Sequence, residues 1–284
     1  MVAVYPVAVH YETPTGWEEI DNTLKLAEGS YINTAGIWQV ALPQQLTKDN
    51  RISISKDGYT LQFGMSGELR LDDSVAVMSA DAEPATRVEP MQASQAQVSP
   101  KKLLTTDTPA HTAILSQKNH SRLSYAEVYE NTNVIYDLQG NKVKESIIME
   151  TYDSDLVGYR YILEVGTLNP VLNEGGSIDF YDADNKNIVM VMEAPFLLDA
   201  NAEQSNDVRV TLTGKGGTYY LTYTLPRQWL AQEERAWPVI LDPAVVPSVR
   251  YYNIQDKTVG DVKDSSANWA INEVGYYAPR GVER

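Results

Sequence analysis

The chain has 284 residues, 43% hydrophobic and 21% charged, a balance that suits one large or two ordinary globular domains. Acidic residues (38) outnumber basic ones (23), and the net charge of −15 repels phosphate backbones and anionic lipid surfaces, so composition argues against nucleic acid as a partner. Cysteine is absent, which excludes thiol nucleophiles, thiolate zinc sites and disulfide bonds.

The apolar runs are too short to cross a bilayer. Ile188–Met192 is an example of the longest runs, and it is far shorter than the ~20 residues that a transmembrane helix needs. The start of the chain, Met1–Val7, has no basic region and no long apolar region, so it shows no secretory signal and leaves the compartment open.

Residues 1–78 alternate short strands with turns, and the apolar period is close to two. Asp57–Gly58 lies between two alternating runs and is a strong hairpin signal. The predicted strands are Tyr5–Tyr11, Trp17–Ile20, Ile37–Leu42, Arg51–Ser55, Tyr59–Phe63 and Glu68–Leu71, with turns at Thr13–Gly16, Lys56–Gly58 and Met65–Gly67. The sequence therefore predicts an N-terminal β-meander.

Residues 79–110 are rich in Ala, Ser, Gln, Thr and Pro and poor in large apolar side chains. Such a segment buries too little surface to offset the entropy of ordering it. We expect a flexible linker or insertion here, with a segment pinned onto a neighbouring sheet as the alternative.

The strand pattern resumes over residues 111–247, which we predict to form a larger antiparallel β domain. The predicted strands are Ser124–Tyr129, Val134–Leu138, Val143–Met149, Tyr159–Val165, Ser177–Tyr181, Ile188–Met192, Asp207–Leu212 and Tyr219–Leu225. A short helix is predicted from Pro226 to about Ala231, since proline suits a first helical turn. Trp237–Pro243 reads as the closing strand, ended by a proline that cannot donate to a ladder. The predicted fold class is all-β, with a meander and sandwich-like antiparallel layers.

Three acidic turns could hold a cation, because calcium takes several oxygen ligands on a tight turn. In Asp182–Asn187, with Glu193 in the twelfth position, Lys186 replaces an oxygen ligand and Asn187 stands where a calcium loop needs glycine, so we predict a hairpin tip. Asp199–Glu203 and Asp153–Asp155 are weaker candidates of the same kind.

No catalytic pattern emerges from the remaining polar residues. The histidines His10, His111 and His120 are dispersed without metal-ligand spacing, and no serine stands on a Gly-x-Ser-x-Gly elbow. Gly214–Gly217 lies between two strands and opens no helix, so it predicts a hairpin turn and not a phosphate site. The sequence therefore predicts no catalytic residue, no metal and no cofactor.

The tryptophans are the best candidates for recognition, because an indole on a sheet face can stack on a sugar ring or on another module. The chain has five, Trp17, Trp38, Trp229, Trp237 and Trp269. Core packing is the commoner fate of tryptophan, and we predict it for Trp229 and Trp237. Trp17, beside a turn, is the candidate ligand contact.

Read in order, several segments resemble the N-terminal region of large secreted, wall-associated bacterial proteins of the RHS-repeat type, where that region precedes a DNRLRE module. The matching segments are Tyr5–Val7 with Gly16–Leu24, Tyr125–Tyr136, Val143–Glu145, Pro195–Ala200, and Trp229–Leu230 through Trp237–Pro243. Residues 248–284 resemble the opening strands of the DNRLRE β-sandwich, which would be incomplete here. Its matching segments are Val249–Asn253, Ser266–Trp269, Asn272–Tyr276 and Arg280–Arg284.

The resemblance implies an extracellular or wall-associated location and a non-catalytic structural or adhesive region that displays or spaces other modules of one long polypeptide. It implies no enzyme activity. The net charge and the short apolar runs separately predict no nucleic acid partner and no membrane insertion. Two alternatives stay open, a carbohydrate-binding module that contacts cell-wall or host glycans through exposed aromatics, and an accessory part of an extracellular hydrolase with two carboxylates in a cleft.

Overall fold

The computed structural model describes residues 8–47, 49–71, 75–76 and 118–247. Almost every described element is a strand, as the sequence predicts, and the strands pair antiparallel throughout. In chain order to residue 76 they are β1 (His10–Thr13), β2 (Gly16–Glu19), β3 (Asp21–Ala27), β4 (Ser30–Ala35), β5 (Gln39–Pro43), β6 (Ile52–Lys56), β7 (Tyr59–Arg70) and β8 (Val75–Ala76).

The second described part of the chain begins after residue 117. Its strands are β9 (His120–Tyr129), β10 (Thr132–Gln139), β11 (Lys142–Met149), β12 (Leu156–Glu164), β13 (Asn169–Leu172), β14 (Ile178–Tyr181), β15 (Ile188–Met192), β16 (Phe196–Leu198), β17 (Gln204–Ser205), β18 (Arg209–Lys215), β19 (Thr218–Thr224), β20 (Val239–Asp242) and β21 (Ala244–Pro247). The short helix α1 (Arg227–Leu230) lies inside the range predicted for it.

Two sheets pack against each other. Sheet I has the order β18-β19-β12-β7-β6-β5-β4-β3, with β8 also on β7. In sheet II, β9, β10 and β11 are consecutive neighbours, and the other edge of β11 pairs with both β20 and β21. Beyond β20 the order continues with β16 and β17, and beyond β21 it continues with β15, β14 and β13. The hairpin β1–β2 belongs to neither sheet.

One continuous apolar core lies between the sheets, because alternate residues of the central strands point inward. Ile52 and Ile54 of β6 are fully buried in it, as are Val134 and Tyr136 of β10. Polar groups also join the sheets, and the Tyr125 hydroxyl of sheet II donates to the Pro43 carbonyl of sheet I at 2.5 Å.

The predicted Met65–Gly67 turn is wrong, because β7 runs unbroken from Tyr59 to Arg70. The register against β12 shifts there instead, with Met65 opposite Tyr161 and Gly67 opposite Arg160. Ser66 is therefore the extra residue of a bulge, and its hydroxyl donates to the Arg160 carbonyl at 3.2 Å. By contrast, the predicted Asp57–Gly58 turn is confirmed, with both residues at positive φ (52° and 82°).

Pro243 does not end the last strand as predicted. It separates β20 from β21, and both strands pair with β11. The carbonyl of Pro243 accepts the amide of Glu145 at 3.0 Å, so the missing N–H of proline leaves the ladder intact on the side that faces β11.

Strands from both predicted domains lie in sheet I, since β7 pairs with β12 over most of its length. The domain limits at residues 78 and 111 stay a prediction. The predicted linker at 79–110 and the predicted module at 248–284 lie outside the described residues.

Candidate functional site

A carboxylate is buried between the two sheets. Glu145 lies on β11 in sheet II, and period two places it on the same inward face as Val143, Ile147 and Met149. The hydroxyl of Tyr136 on the adjacent strand β10 donates to Glu145 Oε1, and that of Tyr161 on sheet I donates to Oε2 at 2.8 Å. We call Glu145 and the three tyrosines around it, which include Tyr223, the Glu145 cluster.

The surroundings of Glu145 favour its neutral form. Burial raises its pKa to about 7, the nearby charge of Asp242 adds to the rise, and the two tyrosine donors oppose it. The space beside the carboxylate measures only about 10 Å³, no more than one water molecule occupies. The cluster therefore admits no substrate in this form.

A second network joins the sheets near the end of β7. Arg70 bridges Glu68 at 2.7 Å and Asp153 at 2.6 Å, and the hydroxyl of Thr132 on sheet II lies 3.5 Å from Glu68. Burial raises the pKa of Glu68, and its contact with Arg70 offsets only part of that rise. Burial also acts to raise the pKa of Asp153, but the N–H of Asp155 and the Arg70 guanidinium outweigh it and hold that pKa below its usual value. Asp153 thus serves an ion pair and not a cation site.

In the Asp199–Glu203 turn, protein groups also bind the carboxylate that a cation would need. Asp199 accepts the amides of Asn201 at 2.9 Å and Glu203 at 2.8 Å, and it pairs with Arg235 at 2.9 Å, both side chains being fully buried. The guanidinium of Arg235 in turn stacks on the ring of Trp229, 3.4 Å from its centroid. This turn therefore anchors the segment after α1.

The remaining predicted turns have ordinary structural roles. In the Asp182–Asn187 tip between β14 and β15, Asp182 accepts the amide of Lys186 at 2.7 Å, as expected of a hairpin tip. Gly214–Gly217 forms the predicted hairpin turn between β18 and β19. An added Cβ at Gly214 would lie 2.5 Å from the Thr218 carbonyl oxygen, which explains the glycine there.

His10 and His120, the two histidines among the described residues, lie on different strands. His10 begins β1, and His120 begins β9, where its Nε2 lies 3.4 Å from Asp137. The shorter hydrogen bonds to Asp137 come from Arg122, whose Nε donates to Oδ1 at 2.7 Å and whose Nη2 donates to Oδ2 at 3.0 Å. Among the described residues, which exclude His111, no three His, Asp or Glu side chains converge as metal ligands.

The tryptophans divide between core and surface. Trp38 is buried, and Trp229 and Trp237 pack against the core as predicted. Trp17 on β2 is 68% exposed and lies opposite Glu12 of β1. Trp269 lies outside the described residues.

Two open clefts lie along sheet I, and both fall in the size range of small-molecule sites. The first holds about 480 Å³ and is lined by amides and charged groups, among them Asp49, Asn50, Arg51 and Gln62. The second holds about 380 Å³ beside Tyr11 and the Asp57–Gly58 turn.

Sequence reasoning missed the buried charges Glu145, Glu68 and Arg235. For Glu145 a signal was present, since it alternates with Val143 and Ile147 in a strand that the sequence predicts. Its contact with Tyr161 depends on how the sheets face each other, which the strand pattern does not determine.

No family model matches this chain, and no solved structure matches it. Three curated relatives do. The tRNA3(Ser)-specific nuclease WapA of Bacillus spizizenii is 27% identical over 185 residues, which cover 61% of this chain and 8% of that protein. The tRNA(Glu)-specific nuclease WapA of Bacillus subtilis subsp. natto is 27% identical, and the tRNA nuclease WapA of Bacillus subtilis is 26% identical, over the same lengths. The chain thus spans about 8% of the length of the relatives it matches.

These relatives correct several predictions. The assignment to an RHS-repeat-type region before a DNRLRE module is wrong, because the matched proteins are named WapA tRNA nucleases and no family model supports either term. The prediction of a purely non-catalytic structural or adhesive protein is wrong for the same reason, together with its carbohydrate-binding alternative. Nucleases are themselves hydrolases, so these names do not contradict the alternative of an accessory part of an extracellular hydrolase. The exclusion of nucleic acid is also wrong, because net charge describes this chain alone and these relatives are named for action on tRNA.

The described residues contain no helix long and apolar enough to cross a membrane.

Proposed function

We propose that this chain is a β-sandwich region of a bacterial tRNA nuclease of the WapA kind, acting outside the cell or in the cell wall. The observation that carries the proposal is the 185-residue similarity to three proteins named as tRNA nucleases. The absence of cysteine is compatible with this location but does not favour it, because a fold without disulfide bonds forms in either redox environment.

The first cleft of sheet I is the described surface that best suits RNA. Cleavage of a phosphodiester calls for a carboxylate or histidine as proton acceptor and for cationic or N–H donors toward the phosphate. The cleft is lined by the carboxylates Glu28 and Asp49 and by Arg51, with the amides of Asn50 and Gln62 beside them. Arg51 also pairs with Glu164 at 2.8 Å, which holds its guanidinium at the cleft.

The test of the proposed function is made first in the organism that encodes the chain. Medium and wall extracts of cells with the intact gene are expected to cut tRNA into discrete fragments, seen on a denaturing gel. Extracts of cells in which the segment for residues 118–247 is deleted are expected to leave tRNA whole, since the sandwich loses sheet II and the strands β12, β18 and β19 of sheet I. Equal cleavage by both extracts would overturn the proposal.

The purified chain then locates the chemistry. With tRNA and Mg²⁺, Asp49→Asn and Arg51→Met are expected to reduce binding or cleavage at least tenfold, while the exposed control Glu234→Gln leaves both unchanged. Variants that behave like the wild-type chain would exclude this cleft as the tRNA-contacting surface.

Trp17 is our proposed contact residue on the hairpin β1–β2. Its exposed indole can stack on an unpaired base, whereas the carboxylates of Glu12 and Glu18 repel phosphate. Contact with tRNA through this hairpin should therefore strengthen as salt screens the repulsion, the reverse of ordinary RNA binding. Quenching of tryptophan emission by tRNA should be lost in Trp17→Phe and kept in the control Tyr220→Phe. Equal quenching in both variants would exclude the contact.

A further inference from the structure

The Glu145 cluster is unusual because it places an ionisable carboxyl inside the contact between two sheets. Glu145 belongs to sheet II and one of its two hydroxyl partners, Tyr161, belongs to sheet I. Any separation of the sheets breaks that hydrogen bond and lets water reach the carboxylate. The charge state of Glu145 and the closure of the sandwich are therefore coupled.

The groups that face Glu145 are nearly all neutral. From β10, β12 and β19 come Tyr136, Tyr161 and Tyr223, and burial raises the pKa of all three far above the physiological range. From β20, Asp242 contributes a negative charge that is itself paired with Lys144 at 2.6 Å. The apolar side chains that line the same space come from β7, β15 and β21, and they are Phe63, Met192 and Val245.

No cation compensates Glu145 within the described part of the chain. The ion pairs found there join lysines and arginines to other carboxylates, and none involves Glu145. The two tyrosine hydroxyls are the only polar contacts found for its carboxylate among these residues. Ionised Glu145 keeps its two hydrogen bonds but lies in a buried space where no cation of the described residues compensates it. Its charge therefore carries a desolvation free energy that the neutral acid does not.

We propose that the Glu145 cluster is a pH-sensitive lock between the two sheets, closed tightly when Glu145 carries its proton and loosened when it ionises. This inference does not depend on the proposed nuclease function. The lock tightens on moving from neutral to mildly acidic surroundings and weakens on moving to alkaline ones.

The sign follows from linkage. Burial raises the pKa of Glu145 to about 7 from its ordinary value of 4.5, so the folded chain binds this proton more tightly than the unfolded chain does. The stabilisation is fully present below about pH 4.5 and is lost as pH rises through 7. Over pH 5 to 8 this one group should lower the folding equilibrium constant by about 70-fold.

The experiment is urea denaturation of the full chain from pH 4 to 8.5, for the wild type and for Glu145→Gln, which imitates the neutral acid. The folding constant of the wild type divided by that of Glu145→Gln is expected to be nearly constant below pH 4.5. Between pH 5 and 8 this ratio is expected to fall by about 70-fold, because only the wild type is destabilised by ionisation of Glu145. The exposed control Glu234→Gln should give a curve parallel to the wild type. Parallel curves for Glu145→Gln and the wild type would overturn the proposal.

A second variant tests the geometry. Tyr161→Phe removes the sheet I donor from the carboxylate, so the pKa of Glu145 should rise and the inflection of the stability curve should move to higher pH. Should Glu145→Gln fail to fold, the carboxyl carbons of glutamate can be followed by NMR in the wild type and in Tyr161→Phe. A resonance that titrates near pH 7 and shifts upward in Tyr161→Phe supports the lock. Glutamate carboxyls that all titrate below pH 5.5 would contradict it.

Discussion

Arg70 is the residue on which two carboxylates depend. Its guanidinium reaches Glu68 and Asp153 at once, and the Glu68 side chain is only 2% exposed. Buried carboxylates are stabilised mainly by such partners, and removing the partner costs more than the pair contributes when intact, because the remaining charge has no compensation.

We expect Arg70→Met to lower the free energy of unfolding by about 2–4 kcal/mol, since Glu68 would stay buried without its cation. The matched control is Lys186→Met, which removes a cation from the Lys186–Asp184 pair, whose side chains are 73% and 72% exposed. That change should cost less than about 0.5 kcal/mol. Urea denaturation at pH 7 measures both, and equal losses would contradict the assigned role of Arg70.

Gly158 on β12 is required by the closeness of a neighbouring backbone. A Cβ there would lie 2.0 Å from the Tyr223 carbonyl oxygen on β19, so an added methyl group must push the two strands apart. We expect Gly158→Ala to destabilise the chain by about 3 kcal/mol or more.

Gly175→Ala is the control, since nothing lies within 4 Å of its Cβ position. It should change the stability by less than about 1 kcal/mol in either direction. A chain that tolerates Gly158→Ala as well as Gly175→Ala would show that β12 and β19 do not pair as described.

At the scale of elements, the hairpin β1–β2 differs from every other strand pair described. It belongs to neither sheet, most of its side chains are exposed, and the Ile20 amide, which donates to the Val9 carbonyl at 2.9 Å, lies just beyond it. A two-stranded hairpin in water is marginally stable at best.

We therefore expect the amides of β1 and β2 to exchange hydrogen through local opening, at least a hundredfold faster than those of β7 and β12 in the centre of sheet I. Hydrogen exchange followed by mass spectrometry of peptic peptides measures this. Equal protection of the hairpin and the central strands would show that the hairpin is packed against the sandwich.

The sequence predicts the longer strands of the sheet centres but omits β3 and β4 at one edge of sheet I, together with the short strands β8, β13, β16, β17 and β21. Only three residues of β3 and β4 are buried, Asn22, Leu24 and Asn33, and two of them are polar. The alternation of apolar and polar residues is therefore faint in these two strands. The signal that could have found them is Glu28–Gly29, which turns with both residues at positive φ (51° and 81°) between the two strands. The Met65–Gly67 error has the opposite cause, because a glycine inside a strand marks either a turn or a bulge and only the partner strand decides which.

At the scale of the whole molecule, the sequence shows the class of the fold but not its faces. That β7 pairs with β12 across the 79–110 segment cannot be read from either strand, since both have several possible antiparallel neighbours. The Glu145 cluster follows from that pairing, because it brings Tyr161 over β11. The inward position of Glu145 could be read from strand alternation, but its contact with Tyr161 could not, even though each of the strands was predicted.

Net charge was the least informative property of the whole chain. A value of −15 sums over all surfaces and does not describe any one of them, such as the first cleft with its amides, its two carboxylates Glu28 and Asp49 and the cation Arg51. A chain that spans 8% of its relatives also says little about the charge of the other parts of such proteins.

The pairing of β7 with β12 has a consequence for how the chain is made. Met65 meets Tyr161, so the ribosome must add 96 residues after Met65 before the partner position even exists. At about 5–20 residues per second this takes roughly 5–20 s, during which one edge of β7 stands open in the nascent chain. Translation speed and chaperone binding during this interval should therefore affect the yield of native protein.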